Sequence, residues 1–541
     1  MAQCDIIIGI DAGTSVIKAV ALDLSGRQIA TSAALNTYRT GADGSAVQSL
    51  PQTWADCVKA IRGLFDRVDN LAARTAAIAV TGQGDGTWLV GAQNAPVTDA
   101  WLWLDARAAP TARALSQGAG ERARFEATGT GLNTSQQSTQ MAHMDRHLPE
   151  LLDRAEVALH CKDWLFANLT GVRATDPSEA SFTFGNFRTR DYDDTVLNAL
   201  GLSHRKSLLP PIVDGSQTVF ALTPDAAQAT GLLAGTPVSL GYVDMVMTAL
   251  GAGVHTGHAG SACSTIGSTG VHMRSVLSSD VHLNGEGTGY VICLPVTDFV
   301  TQVQTNMAAT LNIDWALRMA ADMMTDLGYE HSYSDLVPRI DDWLARSDPS
   351  TLLYHPYISE AGERGPFVNA NARASFVGLN ANHRFADLLR GVVEGLALAA
   401  RDCYGAMGDM PSEVRLTGGA ARSDGLRAIL SGCLNTPVRV SARDEAGAAG
   451  CAMMAAVAIG AYETMDECIA TWVTPLLAQA ERPDPALVAT YDGLYAAYAK
   501  TRSALTPIWD DLAAHHAAMT VPSENDHTEM TTDARPASRG A

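Results

Sequence analysis

The sequence predicts an α/β protein of two domains, and three observations carry the prediction. The 541 residues exceed what one hydrophobic core usually serves. Short β-branched runs alternate with longer helical patterns through the first half, the signature of the α/β class. Each half then opens on a polar turn of Gly, Ser and Thr: Asp11-Ala-Gly13-Thr14-Ser15 in the first, Gly267-Ser268-Thr269-Gly270 in the second. The expected boundaries are residues 1–253 and 254–518, with a disordered polar tail at 519–541.

The first element is Asp5-Ile-Ile-Ile-Gly-Ile-Asp11, a β-branched block stopped by Gly13, which reads as a buried strand entering a turn. Val16 to Leu24 resumes the apolar run, so strand, tight turn and strand make a hairpin. Short strands are expected at Ala76–Thr81 and Thr87–Val90, with helices at Gln52–Val68 and Ala106–Ser116. In the second half, helices are expected at Met307–Leu327 and Phe385–Met407. The Ala- and Gly-rich stretch Gly447 to Tyr462 is too short to span a membrane and reads as a buried packing helix.

Hydrophobic residues make up 47% and charged residues 18% of the chain, the composition of a folded globular protein. A net charge of −20 argues against nucleic acid or an anionic membrane as partner, because both need a basic surface. Backbone N–H groups can still hold phosphate without net positive charge. The nine cysteines are scattered with no C-x-x-C pair, which suits reduced thiols and gives no support for zinc. With no basic region before an apolar run at the N-terminus, no signal peptide is expected and the cytoplasm is the expected location.

There is no Gly-x-x-x-x-Gly-Lys-Ser/Thr loop, which argues against a P-loop kinase. A hairpin of small residues is the alternative phosphate cradle. Gly13 permits the turn, Thr14 and Ser15 supply hydroxyls and N–H donors, and Asp11 at the strand end can hold hydrated Mg²⁺. Alone, such a turn reads first as an ordinary hairpin. The second turn, Gly267-Ser268-Thr269-Gly270, changes that, because paired phosphate hairpins across a cleft are the device of actin-like, ribonuclease-H-like ATPases.

Further motifs resemble those of the FGGY family of carbohydrate kinases. Asp11-Ala-Gly-Thr-Ser resembles its first phosphate motif and Gly267-Ser-Thr-Gly its second. Arg415-Leu-Thr-Gly418-Gly419-Ala420-Ala-Arg-Ser423 resembles its adenosine motif. Gly362-Glu363-Arg364-Gly-Pro366 is similar to its Gly-Glu-Arg-x-Pro segment, and Glu445-Ala-Gly447-Ala-Ala-Gly450 to the helix that closes the nucleotide site. The resemblance implies a two-domain actin-like ATPase fold with the active site in the cleft, and ATP and Mg²⁺ as cofactors. Gly13, Thr14, Ser15, Gly267, Ser268, Thr269, Gly418, Gly419, Ala420 and Ser423 would then hold the nucleotide.

Gly241-Tyr-Val-Asp244 resembles the family's catalytic turn, and a carboxylate there can accept the proton of an attacking hydroxyl. The plain alternative is a helix N-cap for Met245–Gly253, and both roles could hold together. Gln83-Gly84-Asp85 falls in the substrate loop, where this chain departs from the Arg-Glu of glycerol kinases and the Met-His of xylulose kinases. Gly84 removes bulk, and Asp85 can accept hydrogen bonds from vicinal hydroxyls. Trp103-Leu-Asp105-Ala-Arg107 resembles the Trp-x-Asp-x-Arg segment; Trp103 is a substrate-facing indole or else a core aromatic. Asp176-Pro-Ser178-Glu-Ala-Ser181 is taken as structural.

The loops look closest to the branch that holds erythritol kinases, with L-xylulose kinases as neighbours. Expected partners are therefore a small neutral polyol or sugar and a second copy in a homodimer, with no nucleic acid and no membrane. A rival of another class is an actin- or chaperone-like ATPase switch, which would have no need of Asp244 beside a polyol loop.

Overall fold

The computed structural model describes residues 4–255, 261–329 and 331–520. Ile6, Ile8 and Ile10 alternate with Ile7 and Gly9 along β1 (Ile6–Ala12), so the strand buries both faces. The three-residue turn 13–15 returns the chain as β2 (Val16–Asp23), in antiparallel register with Ala12 opposite Ile17 and Asp11 opposite Lys18. β3 (Gln28–Leu35), β4 (Thr75–Gly82), β5 (Val219–Ala221) and β6 (Pro237–Leu240) complete a sheet ordered β5-β6-β4-β1-β2-β3, with β4 parallel to both β1 and β6.

The second half repeats this plan. β7 (Ser261–Ile266) and β8 (Gly270–Leu277) form a hairpin, followed by β9 (Tyr290–Cys293), β10 (Phe299–Asn306), β11 (Glu413–Thr417) and β12 (Val438–Val440), in the order β9-β10-β8-β7-β11-β12. β7 runs antiparallel to β8 and parallel to β11, as β1 does to β2 and β4. The symmetry expected from the paired turns is thus a repeat of sheet topology.

Helices cover the sheets. In chain order they are α1 (Leu50–Arg62), α2 (Cys161–Thr170), α3 (Pro177–Thr183), α4 (Asp244–Gly251), α5 (Thr310–Asp326), α6 (Phe385–Ala406), α7 (Asp424–Leu434), α8 (Ala446–Ala458) and α9 (Pro485–Thr520). α1 and α2 pack one face of the first sheet, with Ile8, Ile10, Ile78 and Val80 against Leu50, Ile61 and Phe166.

The other face belongs to both halves. Ile7, Val20, Leu22, Ala77 and Ala79 share one core with α4, with Ala448, Ala452 and Met453 of α8, and with Cys263 and Met273 of the second sheet. The approach is backbone to backbone: a Cβ on Gly450 would lie 2.0 Å from the Met247 carbonyl, and one on Gly9 would lie 2.2 Å from that of Ala448. The packing helix expected at 447–462 is α8, and these contacts explain its small residues.

α9 is the element the sequence reading lacks. Tyr491 and Tyr498 enter the second core, and Trp509 stacks on Phe367 at 6.3 Å and meets Tyr357 edge-on at 5.5 Å. The helix runs through Thr520 and so takes in the first two residues of the expected tail, and 521–541 lie outside the described residues. All nine cysteines are free, eight of them buried. Among the described residues, no helix is long and apolar enough to cross a membrane.

Candidate active site

Asp244 begins α4 and does not cap it. Val243 is the N-cap residue, and the Asp244 carboxylate accepts a 2.7 Å hydrogen bond from the Met245 N–H. The turn before it is held on two sides. Thr81 Oγ1 at the end of β4 donates to the Tyr242 carbonyl at 2.6 Å, and Ser178 Oγ accepts from the Val243 N–H at 3.0 Å. Ser178 in turn donates to Asp176, the N-cap of α3, and Asp176 meets Lys162 Nζ at 2.5 Å. Lys162 also meets Asp163 at 2.6 Å, and all three side chains are fully buried. Burial alone would lower the Lys162 pKa, but Asp163, Asp176 and Glu179 overcome it and raise it. The segment expected to be structural is therefore the support of the turn that carries Asp244.

Three buried carboxyls lie within electrostatic reach, Asp244 feeling the charge of both Asp11 and Asp85. Burial first, then the neighbouring Asp11 charge, pushes Asp244 up to about 7, with the Met245 N–H opposing. Burial raises Asp11 to about 6 despite Lys18, its cross-strand partner, and Glu445 adds to the rise. Lys18 Nζ also bonds Glu445 at 2.8 and 3.0 Å, joining the first hairpin to the start of α8. Gly447 lets α8 abut Asp11, since a Cβ there would lie 2.5 Å from Asp11 Oδ2. Asp85, the third, is pushed up to about 7 by burial, opposed by Tyr290 and Arg364.

The two hairpins offer backbone donors. Among the described residues no backbone acceptor meets the N–H of Gly13, Thr14 or Ser15, nor those of Ser268 and Thr269, and Ser15, Ser268 and Thr269 are exposed. The carbonyls of the second turn face away, accepting from Ala309 N at 2.7 Å and Thr310 N at 2.9 Å at the start of α5. Gly418 has φ +91°, and a Cβ on it would lie 2.7 Å from the Ile266 carbonyl; Gly419 faces open space. Ala420 follows in the short turn Gly419–Arg422.

Residues 6–251 match the model of the FGGY family of carbohydrate kinases, N-terminal domain, and residues 262–459 match its C-terminal domain. The chain belongs to this family. An FGGY kinase transfers the phosphoryl group of ATP to a carbohydrate, so the chain is an enzyme, and the ATPase-switch rival falls away. The chain is 68% identical over 510 residues to the erythritol kinase of Brucella abortus (strain 2308), covering 94% of this chain and 98% of that one. It is 26% identical to the xylulose kinase of Bacillus subtilis (strain 168), over 85% of this chain and 90% of that one. Among solved structures, the gluconate kinase of Lactobacillus acidophilus superposes with a TM-score of 0.84 at 21% identity, covering 94% of this chain and 99% of that chain. The last likeness shows the shared two-domain fold.

Within this FGGY kinase, several expected site residues have other work. Gln83 is buried, and its amide joins loops: Thr14 Oγ1 donates to Gln83 Oε1 at 2.9 Å, and Gln83 Nε2 donates to Gln48 at 2.9 Å. Trp103 is 40% exposed, so it is not a core aromatic, and its indole N–H donates to Thr14 Oγ1 at 2.8 Å. The Thr14 hydroxyl is thus already engaged, which leaves its N–H for a phosphate. Asp105 and Arg107 fix the loop as expected, at 2.6 Å, with Arg107 also lying over Trp101. Ser423, expected at the nucleotide, caps α7 through Leu426 N and donates to Asp341 at 2.6 Å. Gly84 does not widen the pocket: its missing Cβ would lie 2.5 Å from Val243 Cγ2 and 3.3 Å from Glu179 Oε1. The glycine lets the 83–85 loop lie against the turn that carries Asp244.

The sequence reading missed three residues at the site, Lys18, Tyr290 and Asn133. Lys18 was within reach of it, because a turn at 13–15 puts residue 18 opposite residue 11. Tyr290 carried no such signal, since its approach to Asp85 and Asn133 depends on how the halves pack; Arg364 was legible as part of a family segment, but not its place beside Asp85. Tyr290 Oη lies 3.4 Å from Asp85 Oδ2 and 2.9 Å from Asn133 Nδ2.

Proposed function

We propose that this chain is an erythritol kinase, transferring the γ-phosphoryl group of ATP to a terminal hydroxyl of erythritol. The observation that carries the reading is 68% identity to an erythritol kinase across 98% of that protein's length. The site chemistry agrees with it. Asp85 offers a neutral polyol an acceptor, and the pocket brings no cluster of cations that a substrate phosphate or carboxylate would need.

Asp244 is the general base, accepting the proton of the attacking hydroxyl as its oxygen reaches phosphorus. The backbone donors of Gly13 to Ser15 and of Ser268 to Thr269 hold phosphate oxygens, and the open space at Gly419 admits the nucleoside. Mg²⁺ bound with the nucleotide would neutralise charge on the transferring group. Asp11 fits it: a partly buried carboxyl beside two others leaves negative charge for a cation to balance. Among the described residues no group of three or more His, Cys, Asp or Glu could hold a metal, so the ion would share its ligands with phosphate and water.

The reading extends to a homodimer in the cytoplasm. Met319, Met323 and Leu327, at 47, 66 and 73% exposure along one face of α5 and its end, supply apolar surface for association. Sedimentation at twice the 57.0 kDa of one chain is the expected result, and a monomer at micromolar concentration removes that part.

The test of the main reading is ADP release by the purified protein with glycerol, erythritol, threitol, xylitol, ribitol and L-xylulose. Erythritol should give the highest kcat/KM. A pentulose kinase is the second reading, favoured by the 26% identical xylulose kinase, and preferred turnover of L-xylulose would replace the first.

A further inference from the structure

Tyr290 opens β9, the edge strand of the second sheet, yet its phenol crosses to the first half. The hydrogen-bond directions around it can be counted. Asn133 Oδ1 accepts from Ser135 N at 2.9 Å, Ser135 Oγ at 2.7 Å and Gln136 N at 3.1 Å, so its oxygen is fixed. Its Nδ2 must then face Tyr290 and donate to the phenol oxygen at 2.9 Å. The one phenol hydrogen is left for Asp85. At 3.4 Å that contact is well beyond the usual 2.7–2.8 Å of a good O–H···O bond. The other carboxylate oxygen, Asp85 Oδ1, is buried and meets no donor among the described residues.

Both partners are held in place. Phe182 meets the Tyr290 ring edge-on at 5.8 Å, and Asp85 has φ +56°, left-handed backbone that its neighbours must maintain. Gly131 N donates to the Gly289 carbonyl at 2.8 Å and Val291 N to Thr130 Oγ1 at 3.1 Å, tying the Asn133 loop to the start of β9. Burial, then the Asp85 charge, raises the phenol pKa, so the group stays a donor at working pH.

With Asp85 ionised, the pair thus presents one O–H donor and one vacant acceptor at a loose contact. An alcohol carbon satisfies both, accepting from Tyr290 and donating to Asp85. A ketone carbon accepts from Tyr290 but has no hydrogen to give, leaving a buried acceptor unmet. We propose that Tyr290, oriented by Asn133, is a specificity-determining residue contributed by the second half, and that with Asp85 it selects an alcohol over a ketone at a non-reacting carbon of the substrate. This rests on the polyol-kinase reading and assigns it a chemical cause.

The test compares erythritol with erythrulose, the ketone of the same chain length, in wild type and Tyr290→Phe, measuring kcat and KM separately. Wild type should favour erythritol by about tenfold or more in kcat/KM. Tyr290→Phe keeps the ring, should bind ADP and melt as wild type does, and should raise KM for erythritol about tenfold with kcat changed less than about threefold. The erythritol-to-erythrulose ratio should shrink further in Asp85→Asn, where an amide can donate to the ketone. Deoxy analogues lacking the internal hydroxyls should not distinguish Tyr290→Phe from wild type. An unchanged KM in Tyr290→Phe, equal losses on all substrates and deoxy analogues, or a wild type indifferent to the ketone overturns this inference alone. A wild type inert on every polyol overturns the kinase reading and this inference with it.

Discussion

A base that takes a proton from an alcohol works only when ionised, and Asp244 sits where ionisation is opposed by burial and by Asp11. With its pKa near 7, kcat/KM should climb with pH up to about 7 and level above it, the midpoint belonging to the coupled carboxyls together. Asp244→Asn should reduce kcat by roughly 10²–10⁴-fold with ADP binding retained. Near-normal turnover in a folded variant would place the base elsewhere. The same shift bears on stability. Because the folded pKa is raised above the ordinary aspartate value of 3.8, the contribution is fully present below that value and lost as pH rises through about 7. Asp244→Asn should therefore melt higher than wild type at pH 8 and gain nothing at pH 4, which a thermal scan at both pH values checks. Lys162 has the opposite character. Lys162→Met strands two buried carboxylates and should cost about 3–5 kcal/mol in urea unfolding. A variant as stable as wild type would mean that Asp163 and Asp176 do not depend on that cation.

At the scale of elements, what could be read from sequence followed periodicity and local turn chemistry. The expected strand from Asp5 and the helix at Phe385 lie within a residue or two of β1 and α6, because alternation and a long amphipathic stripe are local signals. α9 escaped because its Tyr and Trp contacts are spread along one face among Ala and Thr, with Pro507 inside the helix reading as a breaker. At the site, glycine motifs located the loops, but not what each side chain meets there. Gly84 is the clearest example: small size suggests space, whereas Val243 and Glu179 fill it. Gly450 makes the matching prediction for the crossing of α4 and α8. Gly450→Val would drive a side chain into the Met247 carbonyl, and backbone cannot yield as a rotamer would. The variant should lose at least about 3 kcal/mol of stability, and a wild-type melting curve would refute the crossing.

For the whole molecule, the shared core decides the order in which the protein can be built. The strands of the first sheet's centre are complete by Gly82, but one face of that sheet waits for Ala448, Ala452 and Met453. On a ribosome adding about 5–20 residues per second, the gap lasts on the order of half a minute. During that time Ile7, Val20, Leu22, Ala77 and Ala79 have only the elements made so far to cover them. The N-terminal half is thus a unit of sheet topology but not of folding. A fragment of residues 1–253 made alone should aggregate, and one ending after α8 should recover much of its solubility. Nascent chains of this protein should consequently engage holding chaperones until about the last sixth of synthesis, a demand that heterologous expression at lower temperature would ease.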